Sequence, residues 1–472
     1  MLGKMNLTEK EDVIKFILEK DVRILNLCHI PEDSRLKTLS FAVSNEKRVD
    51  EILEFGERVD GSSLFSYIDP NKSDIYIKPK LDTAFLNPFC STSTLNILCA
   101  YLDENGKPLD VAPENILLRA EEKLRFSTKI TLKALAELEF YIISKKDTED
   151  PFPSAPDRHY HESAPFSRFE NSRDAILVTL TDIGIATKYG HAEVGKTQGK
   201  NGTVMEQHEI EFMPQNLTEA AETITIAKWV IRNICAKYGA FVSFSPKISL
   251  EHAGNGMHIH LCGLKDDKNI IAEPKGNISI ESRKIIGGIL KFTPSLTAFG
   301  NTIPVSYLRF ISRKESPMQV CWGVKDRLAL IRIPLWWNFK KLEEETNTCR
   351  RTLEFRAPDP SANAYLLFAG IAVATEYGLR NSKEALRIAE ELHVEKEEKE
   401  KRFSLLPQSC SESALNLENH RKYYEADETF PKTVIDSTMK KLKSYKDKGL
   451  LQRLKSEPQK IEELMQKYLH YG

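Results

Sequence analysis

Apolar side chains recur at helical spacing near the start of the chain. Val13, Ile14, Ile17 and Leu18 fall on one face of residues 8 to 20, and Thr8 with Glu11 has the form of a capping box. Strand-like runs follow at Val22–Leu27, Leu36–Val43, Asp74–Ile77 and Leu95–Leu102. One helix followed by several strands predicts a small α+β domain over residues 1–112. The turn composition of Asp103 to Asp110, with Pro113 opening a new helix, places the boundary there. Residues 113–472 then alternate long helices (Glu219–Tyr238, Ser282–Phe299, Asn363–Tyr377) with short strands. From about Asn381 the chain reads as helical and densely charged, and the run from Val394 to Arg402 as a solvated face.

Several of the strands share an unusual pattern. In Ala136–Phe140, Glu137 and Glu139 stand on one face while Ala136, Leu138 and Phe140 stand on the other. Met257–Leu261 repeats this with His258 and His260, Leu353–Ala357 with Glu354 and Arg356, and Glu209–Phe212 with Glu209 and Glu211. Any one such strand reads as half-exposed, with a wet face. If the polar faces converge, however, so many carboxylates at short range cannot all stay ionised alone, and Mg²⁺ or Mn²⁺ would resolve the repulsion. Both readings stand on alternation alone. Arg309, Arg327, Arg332 and Arg356 lie in or beside strand-like segments, where a guanidinium meets either a structural carboxylate or a phosphate.

Composition narrows the classes. Hydrophobic residues make up 41% and charged residues 29%, with a formal net charge of −1, so no global basic field points to nucleic acid or an anionic membrane. The first residues carry Lys4, Glu9, Lys10 and Glu11 where a signal peptide needs an apolar block, and Ala364–Thr375 is too short to span a bilayer. Eight cysteines without a CxxC pair suit reduced thiols in a cytoplasmic protein. Gly190 to Thr197 satisfies the letters of a phosphate-binding P-loop, but Glu193 would sit in the cradle and loop residues follow it, so it is read as coincidence. Gly254-Asn-Gly256 is read as a flexible turn.

The order of these pieces resembles the glutamine synthetase family from roughly residue 20 to residue 380. The motifs are Asp60–Ser63, Glu137-Leu-Glu139, His191–Val194, Glu206–Ile210, Gly254–His260, Ser306–Arg309, Glu315–Pro317, Asp326-Arg327, Ile331–Pro334 and Glu354–Asp359. The resemblance implies a β-grasp-like N-terminal domain, followed by a catalytic α+β domain whose curved antiparallel sheet, a half-barrel, holds the metals. It implies Glu139, Glu193 and Glu209 as ligands of one Mg²⁺ or Mn²⁺ ion, and Glu137, His258 and Glu354 as ligands of another. His260 falls beside the nucleotide. Arg309, with Gly254 nearby, meets the substrate carboxylate, and Arg327, Arg332 and Arg356 meet phosphate. Asp60 takes a proton from ammonium, and Glu315 closes a flap over the intermediate.

The implied reaction uses ATP to phosphorylate the γ-carboxylate of glutamate, after which ammonia displaces phosphate. The implied assembly is a homo-oligomer of stacked rings, cytoplasmic, with the active site shared between subunits, and without nucleic acid or membrane partners. The chain departs from the family pattern at Ala253 (usually Asn), Cys262 (often Ser) and Thr352 (often Arg), and by a protruding loop inserted over roughly Lys196–Thr203. A γ-glutamyl ligase using another amine and a non-catalytic regulatory homologue are the competing readings. Asp60 favours ammonium over a larger amine, and survival of every metal-ligand position favours catalysis.

Overall fold

The computed structural model describes residues 7–145, 156–198, 202–273, 277–311, 316–336, 349–394 and 403–472. The charged run 395–402 and Glu315 lie outside the described residues. Strands are β1 (Ile24–His29), β2 (Lys37–Ala42), β3 (Glu57–Asp60), β4 (Asp74–Pro79), β5 (Phe85–Leu86) and β6 (Thr94–Leu102), followed by β7 (Thr131–Lys145), β8 (Thr187–Gln198) and β9 (Thr203–Phe212). After them come β10 (Gln215–Asn216), β11 (Phe241–Ser243), β12 (Met257–Lys265), β13 (Lys268–Asn269), β14 (Trp322–Val324), β15 (Ile331–Ile333) and β16 (Leu353–Phe355).

The N-terminal part is a β-grasp. Its sheet runs β2-β1-β6-β4-β3, with β5 on β6. Strands β1 and β6 are parallel at the centre, and the other pairs are antiparallel. Leu25, Leu27, Leu95 and Ile97 pack against Val13 and Ile17 of the helix Lys10–Glu19 and Val49 and Ile52 of the helix Glu46–Phe55. Alternation exposed the longer strands, but the helix at Glu46 and the short β3 were not expected. Asn45 caps the former by accepting from the Arg48 amide at 2.9 Å. The expected capping box does not form: the first helix is preceded by Glu9, with no side-chain cap. Leu18 is 62% exposed, because Val13 and Ile17 already define the buried stripe and the next residue turns about 100° away.

The second sheet has ten strands among the described residues, ordered β14-β15-β16-β12-β7-β9-β8, with β10 and β11 on β7 and β13 on β12. It curls into a half-barrel. Its strands are not all short, since β7 runs for 15 residues. Alternation gives the sheet an apolar face: Ala136, Leu138 and Phe140 of β7, Ile259 and Leu261 of β12, and Ile210 of β9 join one core with the helices behind them. Those helices are Pro113–Thr128, Leu217–Lys237, Ile280–Gly300 and Ala364–Arg380. The charged C-terminal region is more than a wet surface, because Ile461, Met465 and Tyr468 close a small core over Ile303, Val305 and Leu308. No helix among the described residues is long and apolar enough to cross a membrane.

The expectation of reduced thiols fails at one pair: Cys262 of β12 and Cys349 are joined in a disulfide, with Cα atoms 5.6 Å apart. Cys28, Cys90, Cys99, Cys235, Cys321 and Cys410 are free. Spacing gave no hint of the bridge, because 87 residues separate the partners and only the pairing of β16 with β12 brings them together.

The helices Ile280–Gly300 and Ala364–Arg380 meet backbone to backbone. A Cβ at Gly288 would lie 2.2 Å from the Ala374 carbonyl oxygen, and one at Gly378 2.2 Å from that of Lys284. Neither carbonyl can swing away without breaking its helix. Gly288→Ala is therefore expected to destabilise the protein by about 1–3 kcal/mol, the usual range for an overpacked core. An unchanged midpoint of thermal unfolding would contradict this packing.

Candidate metal centre

Strand register does what alternation could not. His258 of β12 lies opposite Glu137 of β7, His260 opposite Glu354 of β16, and Glu139 of β7 opposite Glu209 of β9. His191 of β8 lies opposite Glu209 in turn. Directly opposed residues share a face, so the polar faces merge into one surface. Glu137, His260 and Glu354 form one group whose donor atoms lie within 4.8 Å of one another, and His191, Glu193 and Glu209 form a second. His258 joins the first group, its Nδ1 lying 2.9 Å from Glu137 Oε2 and 3.8 Å from Glu354 Oε1. Glu139 borders the second, with Oε2 accepting from Gln207 Nε2 at 3.0 Å and the Gly256 amide at 2.8 Å.

The two groups differ electrically. Burial alone would raise the Glu137 carboxyl, but His260 and His258 outweigh it and hold it well below the usual range. Burial and Glu137 likewise work against ionised Glu354, yet Arg356 and the two imidazoles keep it lowered. Arg332 Nη1 donates to Glu354 at 2.7 Å, and Arg356 Nη1 binds the other oxygen. In the second group burial and mutual repulsion outweigh His191. Burial, then Glu209 and Glu139, push Glu193 up to about 9, and burial and Glu137 raise Glu209 as well. Buried oxygens that resist ionisation for want of positive charge are a donor set suited to a divalent cation, with His258 and His260 at the first group and His191 at the second.

The remaining expected residues scatter further. Arg309 sits in the helix Pro304–Ile311 rather than on a strand, and is 2% exposed. Its Nη1 donates to the Ala357 carbonyl at 3.0 Å and its Nη2 to the Arg356 carbonyl at 3.2 Å, with His258 Nε2 also 3.2 Å from Nη2. Arg332 lies on β15, Arg356 just after β16, and Arg327 in the turn after β14, where it hydrogen-bonds Tyr160 near Glu193 and Glu209. Asp60 ends β3, and its described hydrogen bonds stay local: it accepts from the Ser62 amide, Ser62 Oγ and Ser63 Oγ at 2.9, 2.7 and 2.7 Å. The hydroxyls of Ser63, Ser62 and Ser73 hold its carboxyl well below the usual range. Thr352 accepts or donates at His260 Nδ1, 2.8 Å away.

Two local expectations are corrected. Gly254-Asn-Gly256 is no flexible turn: Asn255 is fully buried, donates to the carbonyls of Ser243 and Ser245, and accepts from Gln207. Its glycines are needed for close approach, since a Cβ at Gly256 would lie 2.6 Å from both Arg309 Nη2 and His258 Nε2. The described part of the insertion continues the strand pairing, with Lys196, Thr197 and Gln198 opposite Glu206, Met205 and Val204. Lys196 is buried, and its Nζ lies 2.7 Å from Glu206 Oε1. His159 lies 3.4 Å from the same carboxylate and has Nδ1 3.1 Å from the Glu193 carbonyl. Strand β8 also contains the false P-loop, which no helix follows.

Sequence reasoning passed over His191 as a site residue, although His191 and Glu193 stand at the same period of two used elsewhere. Gln207 and His159 carried no signal, because their roles depend on register and on a loop folding back.

Residues 21–104 match the family model described as glutamine synthetase, beta-Grasp domain, and residues 110–460 match glutamine synthetase, catalytic domain. A glutamine synthetase from Pyrococcus abyssi is 30% identical, covering 84% of this chain and 86% of that protein. One from Thermotoga maritima is 33% identical over 66% of this chain and 68% of its own. The cryo-EM structure of Plasmodium falciparum glutamine synthetase matches in fold, with a TM-score of 0.80 at 21% identity, covering 94% of this chain and 97% of that one.

The raised Glu193 carboxyl gives the centre a pH signature. Its folded value of about 9 exceeds the unfolded carboxyl value near 4.5, so the folded metal-free protein keeps a proton that the unfolded chain releases. This group therefore lowers stability as pH climbs through that window. A bound cation takes the proton's place. Metal-free protein should lose thermal stability between pH 5 and 9 more steeply than protein with Mn²⁺, and Mn²⁺ binding at pH 7 should release protons, measured by calorimetry in buffers of different ionisation enthalpy. Binding without proton release would refute this account of the carboxylates.

Proposed function

This chain belongs to the glutamine synthetase family, and from that premise we propose that it joins ammonia to the γ-carboxylate of glutamate at the expense of ATP, with the sheet face just described as its active site. The observation that carries the assignment is the register that sets His258 against Glu137 and Glu139 against Glu209, merging separate strands into one buried donor surface.

Glu139, Glu193 and Glu209 would hold one divalent cation and Glu137, His258 and Glu354 another, as Mg²⁺ or Mn²⁺. Such ions supply Lewis acidity and charge neutralisation at phosphoryl oxygens. His260, fixed between Glu137 and Thr352, lies beside the nucleotide. Arg332 and Arg356 already face the centre through Glu354, and with Arg327 they absorb charge as the γ-phosphoryl group passes to glutamate. Arg309 and the Gly254 loop bound the glutamate end, where the tightly held backbone fixes the approach of the carboxylate. Glu315 closes over the γ-glutamyl phosphate and keeps water from it.

Asp60 accepts the ammonium proton, so that neutral ammonia attacks and phosphate leaves. Its serine partners keep it ionised, as a base must be. Since its described hydrogen bonds run to its own loop and to Ser73, Asp60 serves the site of an adjoining copy in a ring-shaped homo-oligomer of stacked rings. The β-grasp domain and the catalytic domain, divided near residue 112, thereby contribute to different active sites.

Purified protein with Mg²⁺ or Mn²⁺, ATP and glutamate should release phosphate when ammonium is added. Release only with a larger amine would overturn the substrate, and no release with any amine would overturn the ligase assignment. Glu139→Ala should weaken Mn²⁺ binding and activity together, each by at least about a hundredfold. Asp60→Asn should lower kcat by on the order of 10²–10⁴-fold while sparing Mn²⁺ affinity. Co-expressing these two inactive chains should restore part of the activity, because some mixed sites combine an intact Asp60 with an intact Glu139. If the mixed oligomers stay inactive, the shared site is wrong.

A further inference from the structure

The Cys262–Cys349 bridge lies at the end of the metal centre. Cys262 follows His258 and His260 at the next even position of β12, so all three side chains stand on the same face. Cys349 belongs to the turn that leads into β16, three residues before Thr352. Thr352 Oγ1 lies 2.8 Å from His260 Nδ1, and His260 Nε2 lies 2.8 Å from Glu137 Oε1. Polar contacts also hold the turn. The Arg351 carbonyl accepts from Asn269 Nδ2 at 3.1 Å, and Arg351 Nη1 donates to the Glu273 carbonyl at 3.2 Å. The bridge is thus a covalent tie between the turn that leads to Thr352 and the strand that carries His260.

We propose that Cys262 and Cys349 form a reversible thiol–disulfide site that sets nucleotide affinity at the His260 end of the active site, the bridged form binding more tightly. This deepens the assignment above, which places the nucleotide beside His260. The oxidant is a low-molecular-weight disulfide of the glutathione type. Cys262 is 1% exposed, whereas Cys349 is only partly buried, so Cys349 is the sulfur that an incoming reagent meets. Its thiolate attacks one sulfur of the small disulfide, forming a mixed disulfide and expelling one thiolate. The Cys262 thiolate then attacks the Cys349 sulfur and expels the second. Two protein thiols lose two electrons, the small disulfide gains them, and both protons leave on the two small thiols. A dithiol reverses the steps. Bridging fixes in advance a wall that nucleotide binding must otherwise order, so the bridged protein gives up less freedom on binding.

The test uses full-length protein equilibrated with oxidised glutathione or with dithiothreitol, blocked with iodoacetamide and mapped by mass spectrometry. ADP affinity is measured on the same two preparations by calorimetry with Mg²⁺. The expected result is a peptide linking Cys262 to Cys349 in the oxidised sample only, and an ADP Kd about three- to tenfold higher in the reduced sample. Cys349→Ser and Cys262→Ser should each show the weaker Kd under both conditions. Cys90→Ser, at the exposed free cysteine, should keep the response. Absence of the linked peptide under oxidised glutathione, or a linked peptide with no change in Kd, overturns the proposal. A mapped link with no ADP binding in either state instead overturns the nucleotide site beneath it, and the affinity claim with it.

Discussion

Carboxylates crowded on a buried sheet face repel one another, and much of the molecule answers that repulsion. Glu137, Glu139, Glu193, Glu209 and Glu354 share the polar side of the half-barrel, where little solvent can screen them. One half of the cluster is balanced within the protein. Arg332 and Arg356 grip Glu354, while His258 and His260 bind Glu137. The other half is left in deficit, with His191 as the imidazole close to Glu193 and Glu209. That asymmetry implies an order of filling. A cation relieves more repulsion at the Glu193 side, whereas at the Glu354 side it must compete with guanidinium groups already in place. Under the proposed assignment, a cation at Glu354 would free those arginines to meet phosphate, linking the arrival of metal to readiness for phosphoryl transfer.

Such a cluster holds its geometry only if the sheet cannot relax away from it. Side chains on the reverse face, including Leu138, Phe140, Ile210 and Ile259, are fully buried against long helices. Two of those helices are in backbone contact through Gly288 and Gly378, which leaves no soft layer behind the sheet. A second support lies beside Glu193. The continued β8–β9 hairpin buries Lys196 against Glu206, and His159 reaches from that ion pair to the Glu193 backbone. Burial raises the Glu206 carboxyl, but His159 and Lys196 outweigh it and hold it at about 2, so the support stays charged at neutral pH. Lys196, at the start of the insertion that departs from the family pattern, thus braces the strand that carries Glu193.

The alternation of charged and apolar residues was legible because a strand's period of two follows from covalent geometry alone. Glu137 with Glu139, and His258 with His260, could be assigned to polar faces without a structure. What alternation cannot carry is register, a long-range choice among strands far apart in sequence. Convergence therefore came from the collinear motifs, and His191 was overlooked although its strand shows the same period. Other misreadings share a cause. Arg309 borrowed a strand label from its neighbours but lies on a helix, and Gly254-Asn-Gly256 has the composition of a loose turn while being clamped from several sides. Thr8 and Glu11 had the letters of a cap, yet Glu9 precedes the first helical residue. The cysteine bridge had no local signal, since its partners meet only through sheet pairing.

Asp60 shows how far one chain suffices. A general base needs an ionised carboxylate facing a proton donor, and the hydroxyls around Asp60 secure the charge without supplying the donor. All of its described partners belong to its own loop and Ser73, so those contacts position a base rather than satisfy it. The buried cluster has the opposite character, with carboxylates and imidazoles suited to a cation and arginines beside them, all set into the sheet face. Each half lacks what the other presents. Under the proposed assignment, a single copy that kept both halves apart would have a charged loop without a substrate and a phosphorylating site without a base, and a neighbouring copy would resolve both deficits at one interface.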